Sequence, residues 1–536
     1  MDLRESASAR NLALRPLLAR LKQIAVPGRG EWARRLPRWR HFAGTKRNTI
    51  QSFTFAVLAY FVFACALLLP IGNLISLGFT FEVNYNEGWN TYNADRLIHG
   101  AIIYDDNYWR INNYPIGSFL IIAGANVLTH NLLLSGRLVA LVSFVMIAAF
   151  AAMAVRRFGG GRTDAVFGAG CAAGFCYLMA PAWIIADDPQ TLGEAVMLGA
   201  LVSYIARAPD RLNLLRTAFL VVLGGFIKHN LVAIPIAITL DLAFRSPRRL
   251  PLWLAWCAGF AAGFLGLTQI VAGGDFVDHL MSPRLFGWYG ARYHLMKYLR
   301  LFKFPLAAIV LSGSLFLAAD RMILAGWGII SIASATIISG FEGTSYNMFQ
   351  DAAVFLGVAA GTMMSELRKL ELRSRLAKVL SFALPFIAAQ PILARAPDVA
   401  AQVYHGRAVL DADRKRQETF LADAKYITDR KGPAICESLL LCYAAGQPYI
   451  LDPFNSRQYI LSGMLDQSEL IRRIAAREFA VIQLHADICD DPRTQSCHIL
   501  HYRQKIDRFT DEVLYAIDQY YKIGRRSTFG SFYMPK

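Results

Sequence analysis

The fold is decided by the apolar stretch "QSFTFAVLAYFVFACALLLPIGNLISLG" (51–78) and the polar stretch "NYNEGWNTYNADRLIHG" (84–100) that follows it. An apolar run of about 20 residues has the length of a helix that crosses a bilayer. Such runs recur along most of the chain, which is 55% hydrophobic and 18% charged. That composition is more apolar and less charged than an average soluble domain. The sequence therefore predicts a polytopic α-helical membrane protein.

The net charge of +17 is distributed as expected for a membrane protein. Residues 1–50 contain 12 Lys and Arg against 3 Asp and Glu, and the other basic clusters are short and lie between apolar runs. The positive-inside rule places such segments in the cytoplasm. We therefore predict a basic cytoplasmic arm over 1–50 that contacts membrane lipids, and no nucleic-acid partner. An organelle transit peptide remains the alternative for this arm.

Alternating the chain across the bilayer from a cytoplasmic arm predicts about 11 transmembrane helices in a domain spanning 51–395. Two long polar segments, 80–131 and 273–302, become exterior loops. Within the first, "PIGSFLIIAGANVL" (115–128) is too short to span comfortably and is interpreted as a juxtamembrane or re-entrant helix. The same alternation puts the C-terminal segment, 396–536, outside.

The C-terminal segment has the composition of a small α/β domain. It alternates a short apolar strand, "AVIQLHA" (480–486), with helical patterns such as "FTDEVLYAIDQYY" (509–521). Cys489 and Cys497 bracket a polar loop that a disulfide would close. Cys436 and Cys442 are six residues apart and are predicted to lie in and around one helix, where a bridge is awkward.

The predicted topology brings charged and polar residues to the exterior face. Each has a simpler explanation when taken alone: Asp187 and Asp188 precede Pro189 and would cap a helix, and Lys228 would mark a membrane interface. Together, carboxylates and cations among aromatic side chains suit a sugar ring and a phosphate. The residues concerned include Glu87, Asp105, Asp187, Asp188, Lys228, His229, Arg284, Arg292, Asn347, Trp89 and Tyr114.

The first exterior loop also resembles a known family. The segment "YNEGWNTYNADRLIHGAIIYDDNYWRINNYPIGSFLIIAG" (85–124) is similar to the loop after the first span of GT-C glycosyltransferases, in the protein mannosyltransferase and aminoarabinose transferase branches. "ADDPQTLGEAVML" (186–198), "GGFIKHNLVAIP" (224–235) and "GTSYNMFQDAAV" (343–354) resemble later elements of bacterial relatives. In the tail, "GQPYILDPFNSRQ" (446–458) resembles a domain of uncharacterised members. One departure is Asn86, where the family commonly has the first acid of an Asp-Glu pair.

The resemblance implies roles for individual residues. Glu87 would be the general base that deprotonates the acceptor hydroxyl, tuned by its half-dry setting. The donor phosphate would be bound by Lys228, with His229 beside it. Arg284 and Arg292 are further candidates for the phosphate because of their placement in the second exterior loop alone. Sugar or acceptor would be bound by Asp187, Asp188, Trp89, Asp105, Tyr114 and Asn347. A divalent cation between carboxylates is compatible with the resemblance, but Asn86 weakens that expectation, and no residue is assigned to a metal.

The prediction is therefore an inverting glycosyltransferase of the bacterial inner membrane. It would transfer a sugar from a polyprenyl-phosphate donor to a lipid, glycan or protein acceptor on the periplasmic face, with the C-terminal domain in the periplasm. A transporter of a polar or lipid-linked substrate is the main alternative, because intramembrane charge also marks transport pathways. A membrane-anchored scaffold ranks third, since eleven spans exceed what an anchor requires.

Overall fold

The computed structural model describes residues 49–207, 209–313, 321–370, 374–489, 497–499 and 508–536. By compactness the chain divides into Met1–Phe53 and Thr54–Lys536. Of the first unit, only the start of the first helix is described, so the predicted basic arm lies almost entirely outside the described residues. The predicted domain boundary at 395/396 stays a prediction.

The described chain is mainly helical. The helices are α1 Thr49–Leu68, α2 Ile71–Ser76, α3 Asn86–Ile98, α4 Gly117–Thr129, α5 Leu132–Arg157, α6 Arg162–Met179, α7 Pro189–Ala206, α8 Arg211–Ile227, α9 Ala233–Arg245, α10 Leu250–Ala272, α11 Phe276–Leu280, α12 Trp288–Leu311, α13 Met322–Ile338, α14 Gln350–Lys369, α15 Arg375–Leu393, α16 Ala396–Tyr404, α17 Gly406–Thr428, α18 Leu439–Ala444, α19 Pro453–Leu461, α20 Ser468–Ala475 and α21 Asp511–Tyr520. Short 3₁₀ turns lie at Pro181–Ile184, Pro247–Arg249 and Tyr346–Phe349.

Four helical segments are long and apolar enough to cross a membrane. Among the described residues these are Ile50–Ser76, Leu132–Arg157, Pro247–Ala272 and Arg375–Tyr404. The chain is therefore a helical membrane protein, whereas the total of about 11 spans stays a prediction. The predicted short helix is present as α4, whose 13 residues are too few to span.

Small residues let the interior helices approach closely. A side chain at Gly357 of α14 would lie 2.2 Å from the backbone nitrogen of Ala172 in α6, and one at Gly168 would lie 2.6 Å from Val155. Close backbone approach at Gly and Ala is how helices associate inside a bilayer, where the hydrophobic effect does not drive them together. This packing explains why α6 and α14 are buried and less apolar than outer helices.

The segment 273–302, predicted to be a polar exterior loop, has a different structure. Most of residues 273–302 is helical, because α11 and the first half of α12 lie within that range. α12 kinks at Phe302, where φ is −111° and ψ is 19°. Pro305, three residues later, removes a backbone donor from the helix and accounts for the kink.

The C-terminal segment contains a four-stranded sheet in the order β1-β2-β6-β5. The described strands are β1 Ala434–Cys436, β2 Val481–Leu484, β3 Asp487–Cys489, β4 Cys497–Ile499, β5 Tyr521–Ser527 and β6 Gly530–Pro535. β1 pairs parallel to β2, β6 pairs antiparallel to both β2 and β5, and β3 and β4 form a separate parallel pair. The strand and helix predicted near 480–486 and 509–521 are thus present as β2 and α21.

One cysteine prediction is wrong. Cys436 and Cys442 form a disulfide with Cα atoms 5.8 Å apart. They do not share a helix, as the spacing suggested, because Cys436 ends β1 and Cys442 lies in α18, so the turn between them brings the sulfurs together. The side chains of Cys489 and Cys497 lie outside the described residues, so a bridge between them stays a prediction.

The C-terminal segment 396–536, called the tail below, packs directly on the segment 80–131, which is predicted to be the first exterior loop. A side chain at Gly88 in α3 would lie 2.1 Å from the backbone nitrogen of Leu440 in α18, so only glycine permits this contact. Ser438 also donates a hydrogen bond to Glu82. The first turn of α3 is therefore held between the membrane helices and the tail.

Candidate active site

Glu87 lies in the first turn of α3 and pairs with Arg137 of α5. Neither side chain is exposed. Arg137 Nε and Nη2 donate to Glu87 Oε1 and Oε2, each at 2.7 Å. The backbone N–H groups of Val83 and Asp187 donate to Oε2 and Oε1 at 2.8 and 3.3 Å. Each carboxylate oxygen thus accepts two hydrogen bonds.

The same arginine closes the turn that leads into α3. Arg137 donates to the carbonyl of Phe81 at 2.8 Å and to those of Ser76, Leu77 and Phe79. A bidentate guanidinium pair fixes both carboxylate oxygens of Glu87 in place. The structure thus shows a fully paired Glu87 carboxylate, and the role of Glu87 as general base stays a prediction.

Asp188 lies next to this pair at the start of α7. Its Oδ1 accepts from the backbone N–H of Gln190 at 2.8 Å, so it caps the helix as expected for an Asp before Pro. Its Oδ2 accepts from Asn86 Nδ2 at 2.6 Å. Asn86 therefore supplies a donor at a position where a second carboxylate would repel Asp188.

Lys228 ends α8 and faces Asp188 across the site. Its ammonium is 3.9 Å from Asp188 Oδ1 and 3.7 Å from the centre of the Tyr114 ring. Burial lowers the pKa of Lys228 to about 8, with Arg284 adding to this effect and Asp188 opposing it. The Asp188 contact is too long for a strong hydrogen bond. Most of the hydrogen-bonding capacity of this buried cation is therefore left for another partner.

Arg284 brings a second positive charge to the site and is positioned by the tail. Its Nη2 donates to Asn455 Oδ1 at 2.7 Å, and its guanidinium lies 4.7 Å from the centre of the Phe454 ring. Among the described residues it has no ion pair with a carboxylate. Asp452 caps the same tail helix, α19, and accepts from the Tyr85 hydroxyl at 3.2 Å.

Asp187 is fully buried beside Glu87 and Asp188. Burial raises its pKa well above the usual value for Asp, and the two neighbouring carboxylates raise it further. A side chain at Gly136 of α5 would lie 2.2 Å from its carboxyl group, so glycine there makes room for it. Among the described residues, Asp187 Oδ1 has no hydrogen-bond partner.

Of the other predicted site residues, Tyr114 contacts Lys228 through its ring, whereas Trp89, Asp105 and Asn347 have other partners. Trp89 is buried in an aromatic cluster with Tyr114 and donates to the carbonyl of Ile111. Asp105 is paired with Arg96 and Arg110, at 2.7 and 2.9 Å. Asn347 is buried and, with its amide turned, accepts from Trp183 and donates to Ser345. Burial, followed by the charges of Lys228 and Arg284, lowers the pKa of His229 to about 4, so this side chain lies at the site although part of its surface is exposed. Arg292 is exposed.

Sequence reasoning missed three residues of the site. Arg137 is a lone arginine in an apolar span, and a charge at that depth usually has a partner and a task. The sequence alone therefore marks Arg137 as a candidate site residue. Asp452 and Asn455 come from the tail, where no pattern in the sequence connects them with Arg284.

The fold is shared with solved membrane enzymes, although no protein-family model and no curated protein matches the sequence. The crystal structure of ArnT from Cupriavidus metallidurans bound to undecaprenyl phosphate matches with a TM-score of 0.54 and 12% identity, covering 91% of this chain and 98% of that chain. The apo structure of ArnT gives 0.52 and 12%, covering 81% and 92%. An Archaeoglobus fulgidus oligosaccharyltransferase tethered with an acceptor peptide gives 0.47 and 12%, covering 89% and 74%, a score too low to support an inference. The likeness to ArnT shows that the chain has the GT-C fold.

Proposed function

We propose that this protein is a membrane glycosyltransferase that transfers a sugar from a polyprenyl-phosphate donor to a lipid, glycan or protein acceptor. The observation that carries this proposal is the buried Lys228 ammonium, which has only a distant counter-ion and lies in a site with a second cation, Arg284. The fold supports it, because ArnT shares that fold and its crystal structure contains undecaprenyl phosphate.

The two cations are suited to the phosphate of the donor. A buried ammonium without a close counter-ion is costly, and an anion that reaches it recovers that cost. Arg284 is held by a neutral amide, Asn455, so its charge remains available as well. Fixed cations at this place stabilise the negative charge that develops as the phosphate leaves.

In this proposal Asp188 is the general base and Glu87 holds the site together. The acceptor hydroxyl attacks the anomeric carbon of the sugar, and its proton passes to the Asp188 carboxylate. The bond between the anomeric carbon and the phosphate oxygen breaks with its electron pair, so polyprenyl phosphate departs with one more negative charge. Attack from the side opposite the phosphate inverts the anomeric centre.

The assignment of Asp188 follows from its partners. It accepts from a neutral amide, Asn86, and a backbone N–H, and its cation is 3.9 Å away. Glu87 by contrast is held by two guanidinium bonds of 2.7 Å. A carboxylate without a bidentate counter-ion is the better proton acceptor of the two.

A metal is not needed for the step as written. The described residues contain no group of three or more His, Cys, Asp or Glu side chains that would hold a metal ion. Transfer in the presence of excess EDTA tests this point directly, and loss of activity that added Mg²⁺ or Mn²⁺ restores would require a metal in the mechanism.

The decisive experiment is a transfer assay with purified full-length protein and a panel of polyprenyl-phosphate sugars. Wild type is expected to transfer sugar from at least one donor, and Asp188→Asn is expected to lose that transfer. No turnover with any donor, together with ion-coupled uptake in liposomes, would contradict the proposal and favour a transporter.

The proposed location is the bacterial inner membrane, with the N-terminus in the cytoplasm and the site and tail in the periplasm. A reporter enzyme fused after Lys536 that works only outside the cytoplasm tests the orientation. Activity of a cytoplasmic reporter at that position would place the site on the wrong face for a periplasmic transferase.

A further inference from the structure

A cavity of about 250 Å³ lies between the first exterior loop and the tail. Asn107, Trp109 and Arg110 line it from the loop. The tail lines it with Tyr449, Ile450, Leu451, Glu469, Leu470 and Arg473. Ligand sites are typically concave and mostly apolar, with a few polar groups that fix orientation. This cavity is smaller than the usual ligand pocket of about 300–1,000 Å³, and its size suits a single sugar unit.

Two aromatic side chains, Trp109 and Tyr449, line the cavity. The Tyr449 ring stacks on Tyr92 of α3, with centres 4.8 Å apart and planes 11° apart. Trp109 packs against the apolar core of the tail, and its carbonyl accepts from the backbone N–H of Asp452 at 2.6 Å. Flat aromatic surfaces offer a sugar ring a face for its C–H groups.

Hydrogen-bond donors exceed acceptors around the cavity. Arg96 and Arg110 share a single carboxylate, Asp105, which leaves one positive charge over. Arg96 Nη1, Arg110 Nε and the Tyr449 hydroxyl are buried and have no hydrogen-bond partner among the described residues. Two further arginines are each paired with a glutamate: Arg472 with Glu469, which lines the cavity, at 2.7 Å, and Arg473 with Glu478 at 2.8 Å. The surroundings therefore favour an anionic ligand rich in acceptors.

The cavity is connected to the proposed reaction site through the backbone. Leu451 lines the cavity and Asp452, the next residue, accepts from the Tyr85 hydroxyl. Tyr85 directly precedes Asn86, whose amide donates to Asp188. The adjacent residues Leu451 and Asp452 therefore connect the cavity wall with Tyr85 and Asn86. Asn86 in turn hydrogen-bonds the proposed base, Asp188.

We propose that this cavity binds an acidic sugar unit of the acceptor, such as a uronic acid, remote from the hydroxyl that reacts. The ring stacks on the aromatic wall and the carboxylate binds Arg110 and Arg473. The role in the acceptor rests on the proposed function, whereas the binding itself does not.

The test is a titration of the full-length protein in detergent, followed by ligand-observed NMR, with sodium D-glucuronate, D-glucose and inorganic phosphate as separate probes. Glucuronate is expected to bind at least about tenfold more tightly than glucose, since a charge-assisted hydrogen bond contributes that much. Arg473→Gln is expected to weaken glucuronate about tenfold. Arg414→Gln, an exposed arginine on α17, is the matched control and should change nothing.

Three results would overturn the proposal: equal binding of glucose and glucuronate, binding of phosphate without glucuronate, or unchanged glucuronate binding in Arg473→Gln. Tyr449→Phe is a second variant that removes only a hydroxyl and so should not disturb folding. It is expected to weaken glucuronate binding about threefold. Glucuronate binding without any sugar transfer would refute the proposed function and keep the cavity. Transfer without glucuronate binding would refute the cavity and keep the function.

Discussion

Two buried ion pairs are neighbours in this protein. One is closed, meaning that all hydrogen-bonding positions of its carboxylate are filled, and the other is open. Glu87 and Arg137 meet through two bonds of 2.7 Å, and backbone groups fill the remaining positions on the carboxylate. Asp188 and Lys228 are 3.9 Å apart, and the carboxylate is shared with a neutral amide. The closed pair behaves as structure, whereas the open pair has the unused capacity that binding and proton transfer require.

The largest expected effect comes from breaking the closed pair. Arg137→Met leaves Glu87 buried without a counter-ion, and the free energy of unfolding should fall by about 3–5 kcal/mol. Thermal unfolding in detergent measures this. Arg156→Met, at the end of the same helix, is the control and should be nearly neutral. Unchanged unfolding of Arg137→Met would mean that the pair does not hold the site.

The next largest effect distinguishes the proposed role of Asp188 from that of Glu87. Asp188→Asn should lower the rate of transfer by about 10²- to 10⁴-fold, the usual contribution of a general base. Its unfolding temperature should fall less than that of Arg137→Met, because Asn also caps helices and the Lys228 ammonium is 3.9 Å from Asp188. Asp106→Asn, in an exposed part of the first loop, is the control.

Glu87→Gln tests the same comparison from the other carboxylate, because it is expected to lower stability more than activity. It should lower the temperature of unfolding, because Arg137 loses its charged partner, and transfer per folded molecule should stay within about tenfold of wild type. The reverse pattern, in which Glu87→Gln is stable and inactive while Asp188→Asn is active, would return the base to Glu87.

The open pair also predicts a pH dependence. The pKa of Lys228 is lowered to about 8, so its ammonium is charged below that pH and neutral above it. Affinity for undecaprenyl phosphate should therefore fall as the pH rises above 8, by up to about tenfold per unit. Lys228→Arg should remove this step, because arginine stays charged. Affinity that is flat from about pH 7 to about pH 10 would show that Lys228 does not bind the phosphate.

The smallest expected effect concerns the tail. Asn455→Ala removes the hydrogen bond that positions Arg284, and affinity for undecaprenyl phosphate should fall about three- to tenfold. Arg457→Ala is the control on the same helix, because Arg457 pairs with Glu342 instead. Equal losses in both variants would indicate general loosening of the tail.

The fold was largely predictable from the sequence because hydrophobic runs and basic loops are local signals. The first span, the short helix α4 and the helix cap at Asp188 follow from composition and from Pro189. The helical content of 273–302 was not predicted, since its helices carry charged and aromatic residues that resemble a loop by hydropathy.

The site was only partly predictable, because its chemistry depends on distances between distant segments. Lys228 and Asp188 were named from the resemblance, and Arg284 from its placement in the second loop. Which carboxylate is fully paired depends on Arg137, which lies 50 residues from Glu87 in the chain. Asn455 is 171 residues from Arg284. No local pattern encodes such pairings.

The most direct test of the central claim is a structure of the full-length protein with undecaprenyl phosphate bound. The account predicts the phosphate within hydrogen-bond distance of Lys228 Nζ and Arg284, with the Glu87–Arg137 pair still closed. A phosphate bound to Arg137, with Glu87 released from it, would contradict the account.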